Sequence, residues 1–133
     1  MRDTRGFTLL EVLVAFVIAA LALAVMFRGT IDALNASRTA ARYDDALVRA
    51  RSHLAMAAHG GTLMPGDWRG DDGGGYRWHL HVATVSMGAA HPTGGQAQQL
   101  ALYAVTVWES WTEGDHTREV RLDTEEIGQP VGG

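Results

Sequence analysis

A chain of 133 residues suffices for one modest domain with an appended segment, and a net charge of −4 gives nucleic acid or any other polyanion little attraction. It has no Cys, so neither a disulfide framework nor thiol chemistry is available, which leaves an oxidising compartment open but without a covalent staple. Its 16 Gly fall mostly in the second half, where they mark a loop-rich region.

Residues 12–27 carry no polar side chain. Extended back to Phe7 the run is about 21 residues, and at ~1.5 Å per helical residue it spans roughly 30 Å, one bilayer core. Arg28 closes the run and can reach the headgroups. Arg2 and Arg5 precede it, partly offset by Asp3, so the positive-inside tendency leaves residues 1–6 in the cytoplasm and everything beyond Arg28 on the far side. That bias is weak because Arg28 itself lies across the membrane. Glu11 breaks the pattern. A carboxylate at the start of an apolar helix costs a few kcal/mol unless it snorkels or finds a cation. It reads either as a tolerated interfacial side chain or as one half of a pair. Ala22-Leu23-Ala24 imitates the small-x-small site of a secretory signal peptide. Against that, the apolar run continues through Val25, Met26 and Phe27, and a signal peptide has no use for Glu11.

The stretch Arg5-Gly6-Phe7-Thr8-Leu9-Leu10-Glu11-Val12 resembles the prepilin cleavage and methylation signature of type IV pilins and type II secretion pseudopilins. The resemblance implies cleavage between Gly6 and Phe7 by a prepilin peptidase and N-methylation of Phe7. It also implies that Glu11 pairs with the terminal amine of a neighbouring subunit during assembly. The chemistry is coherent. Gly6 lets the chain extend where a protease must grip it, and cleavage creates an amine that a carboxylate can answer in a low-dielectric setting. Such a pair acts as a registry device more than as a source of net stability.

Between residues 30 and 58 there is neither Pro nor Gly, and Ala and Arg favour helix. Tyr43, Leu47, Ala50, Leu54 and Ala57 form an apolar stripe, with Arg42, Asp45, Arg49 and Ser52 off it. The spacing predicts a helix from Phe7 to about Ala58, with a weak point at Gly29 and a stop at Gly60-Gly61. Its stripe packs on the chain's own domain. Residues 60–75 then read as a Gly-rich loop, anchored through Leu63 and Trp68. Alternation over residues 76–83 predicts a half-buried strand. A second loop covers residues 86–99, a central strand residues 100–111, a turn Glu113-Gly114-Asp115, and a last strand residues 117–124. The fold class is α+β: a long N-terminal helix, transmembrane in its first half and amphipathic in its second, packed on an antiparallel sheet of about three strands. The segments are a leader (residues 1–6), an assembly helix (7–28), an amphipathic helix (29–59), a sheet domain (60–125) and a mobile tail (126–133).

No catalytic set, phosphate-binding loop or cofactor site emerges, so the chain reads as no enzyme, with no cofactor and no metal. Asp67, Asp71 and Asp72 lack the spacing of a calcium loop and read as solvated turn residues. His79 and His81 share a strand face and can chelate, but the sequence offers no third ligand. Trp108 and Trp111 fall on opposite strand faces, one in the core.

The start Phe7-Thr8-Leu9-Leu10-Glu11-Val12-Leu13-Val14-Ala15 is most similar to the I-type minor pseudopilins, and Gly75-Tyr76-Arg77-Trp78 with Val105-Thr106-Val107-Trp108 is loosely similar to their small sheet. The resemblance implies a single-pass inner-membrane subunit with its C-terminal domain in the periplasm. Its partners would be J- and K-type minor pseudopilins and the major pseudopilin, at the tip of a pseudopilus that drives protein export. A type IV pilus minor pilin, serving adhesion, motility or DNA uptake, shares the same signature. A membrane-tethered binding module is the alternative of another class.

Overall fold

The structure, a computed structural model, describes residues 6–59, 63–90 and 94–131. The leader residues 1–5 and the Gly60-Gly61 helix stop lie outside the described residues. One helix, α1 (Leu9–His59), precedes four strands: β1 (Gly66–Gly73), β2 (Tyr76–Ala90), β3 (Gln98–Glu113) and β4 (His116–Gly128). The chain divides into two compact units, Met1–Ala41 and Arg42–Gly133, and α1 contributes to both.

In the first unit α1 runs without interruption through Gly29, where a side chain would meet nothing. Every described residue from 6 to 38 is exposed. An apolar helix with no covered face requires lipid or other helices around it. It is long and apolar enough to cross a membrane.

In the second unit the strands form one antiparallel meander in the order β1-β2-β3-β4. The sheet therefore has four strands, not about three. The added strand is β1, where the glycines predict a loop. It pairs with β2 from Gly66↔Val82 to Gly73↔Tyr76. An edge strand needs little side-chain burial, so Gly, Asp and Arg suffice once a hairpin aligns the backbone. Gly73, Gly74 and Gly75 all have positive φ, which only glycine adopts freely, and they make that hairpin. The loop predicted over residues 86–99 is also shorter than expected. Strands β2 and β3 continue pairing to Ala90↔Gln98, past a bulge at Val85, through small and exposed side chains held by backbone bonds. Gly114, at φ 61, opens the turn predicted between β3 and β4. Strand β4 runs beyond the alternating stretch to Gly128, and Tyr103 Oη donates to the Gln129 carbonyl at 3.4 Å.

One sheet face is covered by the second half of α1. Ala46 and Ala50 are fully buried, and their small side chains let the helix approach closely. Two apolar clusters result. Leu63, Val82, Ala101, Tyr103 and Val105 pack with Leu54, Ala57 and Leu80. Ala46, Tyr76 and Trp111 pack with Tyr43 and Val120. The predicted stripe is thus the packing face. Arg42 and Arg49, placed off it by sequence, lie at its margin: both stand over the Tyr76 ring, at 5.3 and 4.6 Å. Tyr76 Oη donates to the Arg42 carbonyl, and Arg49 Nη1 donates to the Asp72 carbonyl at 2.9 Å.

Candidate functional site

The N-terminus presents the residues singled out for processing. Gly6 and Phe7 precede the helix and are exposed. A Cβ on Gly6 would touch nothing, and its φ is not positive, so the fold itself places no demand for glycine there. Thr8 is the N-cap: its Oγ1 accepts from the Glu11 N–H at 3.2 Å. Thr8-x-x-Glu11 is therefore a capping-box spacing, a local signal that the sequence reading did not use. The carboxylate of Glu11 also sits in the first helical turn, where the macrodipole favours negative charge. Glu11 has a helix-starting role in addition to any intermolecular one.

A second group of polar side chains lies between the two apolar clusters. Glu109, on β3 between Val107 and Trp111, points at the helix and is 0% exposed. Neither carboxylate oxygen has a hydrogen-bond partner among the described residues. Burial pushes its pKa up from 4.5 to about 7, the Asp72 charge adds to the rise, and His53 and Arg49 oppose it. His53, one turn beyond Arg49 on α1, donates from Nε2 to Asp72 Oδ2 at 2.8 Å. Its ring stacks on Trp78 at 4.5 Å. Asp72 is the extra residue of the β1 bulge between Asp71 and Gly73, so the hairpin delivers it to the helix side. Sequence reading placed Asp72 among solvated turn residues and assigned nothing to His53. Only the pairing of β1 with β2 brings them together.

On the opposite face, Asp67 Oδ1 accepts from His79 Nε2 at 2.8 Å and from His81 Nδ1 at 3.0 Å. The two histidines share a face as predicted, and Asp67 is the third group that sequence could not supply. Its pKa is lowered by those two hydrogen bonds. Trp108 lies on this face, with His79 stacked on it at 4.7 Å and Arg121 over its ring. Trp111 is the core member of the pair.

The prokaryotic N-terminal methylation motif matches residues 1–27, which takes in Gly6, Phe7, Glu11 and the apolar run. Over 83 residues, 62% of this chain, the sequence is 36% identical to the type II secretion system protein I of Xanthomonas campestris pv. campestris. The resemblance to a prepilin-type, I-type minor pseudopilin holds. The matched stretch spans 60% of that relative, less than two thirds of its length. No solved structure matches the chain. The pseudopilin likeness accounts for the exposed apolar helix as an inner-membrane anchor. It leaves the cluster of half-buried His53 and Asp72 around buried Glu109 without an explanation.

Proposed function

We propose that this chain is an I-type minor pseudopilin of a type II secretion system, a structural and not a catalytic subunit. A prepilin peptidase cuts between Gly6 and Phe7 and methylates the new Phe7 amine. Residues 7–28 hold the subunit in the inner membrane with the sheet domain on the periplasmic side, until the helix passes into the pseudopilus. There Glu11 answers the terminal amine of a neighbouring subunit, and J-type, K-type and major pseudopilins surround the helix at the filament tip. Growth of that filament pushes substrates outward.

The observation that carries this reading is an apolar helix exposed on every side, capped at Thr8, two residues after a Gly6 that the fold does not require. Lipid or neighbouring helices must cover such a surface, and the matching methylation motif supplies a reason for Gly6. Type IV pilus subunits share the motif; the 36% identity to protein I favours secretion.

N-terminal sequencing and intact mass of the protein recovered from membranes test the reading. The expected product begins at Phe7 and carries one added methyl group. A mature chain starting anywhere else overturns it. Replacing Gly6 with a bulky residue should leave the unprocessed precursor in the membrane, visible as a larger mass.

A further inference from the structure

We propose that His53, Asp72 and Glu109 bind one divalent cation of the zinc class, joining the helix, the first hairpin and the central strand. This is independent of the pseudopilin reading. One ligand atom from each of the three residues lies within 4.8 Å of the other two. Donors around a tetrahedral zinc with bonds near 2.0–2.2 Å stand roughly 3.3 Å apart, so shifts of about 1 Å close the set. Histidine Nε2 and Asp72 Oδ2 already face each other at 2.8 Å, held by a single hydrogen atom. A cation would replace that proton and use the same two atoms.

The second observation is Glu109. Its carboxyl group is fully buried, aimed into the cluster, and accepts no hydrogen bond among the described residues. A buried polar group without a partner is costly, and it is rare in native proteins unless a water or an ion serves it. The other charges facing the cluster are Arg49 and Asp45, which pair with each other at 3.4 Å. Arg49 directs its guanidinium to the Asp72 carbonyl and the Tyr76 ring and makes no bond to Glu109. A cation that displaced the protons of the cluster would be held by two carboxylates and an imidazole. The imidazole donor favours zinc-like ions over calcium or magnesium, which require more oxygen ligands. The ring of Trp78 fixes the orientation of His53 by stacking. An open groove of about 440 Å³, lined in part by His53 and Trp78, borders the cluster on its histidine side. In a chain without Cys, such a site takes the place of a covalent tertiary link.

The test uses the untagged full chain in detergent, stripped with chelator and titrated with Zn(II) against a chromophoric competitor. Wild type should hold about one zinc per chain. Glu109→Gln, Asp72→Asn and His53→Gln should each weaken binding at least tenfold. A His79→Gln/His81→Gln double variant should bind as wild type does. Zinc X-ray absorption on wild type alone should show one imidazole among oxygen ligands, which settles the matter even where a variant misfolds. Overturning results are no stoichiometric zinc in wild type, equal affinity in Glu109→Gln, or a spectrum with two imidazoles, which would place the ion at His79 and His81.

Discussion

One carboxyl group in the core makes the stability of this domain depend on pH above 4.5. With its pKa raised to about 7, folded Glu109 keeps its proton between pH 4.5 and 7 while the unfolded chain has released its own. The unfolded state then binds fewer protons, so stability falls as pH rises across that window. For metal-stripped protein the loss should approach about 3 kcal/mol between pH 4.5 and pH 8. Glu109→Gln should flatten the dependence, as measured by urea melts at several pH values. Gly70 offers a second test. A Cβ there would lie 2.5 Å from Trp78 Nε1, because the indole lies across the glycine from the paired strand. Gly70→Ala should displace Trp78 from His53 and cost about 1–3 kcal/mol. Tryptophan emission and a thermal melt report the two effects. Neither residue was legible from sequence. Glu109 sits inside a strand whose alternation is masked by apolar residues on both faces, and Gly70 looks like any other loop glycine.

Among the elements, those stabilised by their own side chains were readable and those stabilised by a neighbour's backbone were not. Helix α1, strand β3, the Gly114 turn and the start of β2 all follow from periodicity or turn chemistry. Strand β1 and the far ends of β2 and β3 do not, since their side chains are small, polar or exposed and their hydrogen bonds come from partners distant in sequence. The packing stripe of α1 was visible, though not that Ala46 joins it or that Ala46 and Ala50 are the fully buried residues of the helix. Enlarging either should force the helix outward: Ala46→Leu is expected to lower stability by about 1–3 kcal/mol. The same change at the exposed Ala41 should be nearly silent in a parallel denaturant series.

For the molecule as a whole, covered surface begins late. Every described residue from 6 to 38 is exposed, and the packed unit starts at Arg42. Removing residues 1–28 should therefore give a soluble, monomeric domain by light scattering; aggregation in mild buffer would mean that its helix needs a partner. In the intact chain, Glu11→Ala should insert and mature normally yet assemble poorly, read as loss of secretion with unchanged membrane abundance. The Thr8 cap keeps these effects separable, because its bond to the Glu11 backbone survives the substitution. The apolar anchor was legible because a bilayer reads local sequence. The cluster of His53, Asp72 and Glu109 was not, since three elements must fold before they meet.

The meander has a kinetic corollary. Each strand bonds to the one synthesised immediately before it. Chain entropy is therefore spent in small instalments, and the sheet can zip up hairpin by hairpin as the polypeptide emerges, with no long-range search to delay it.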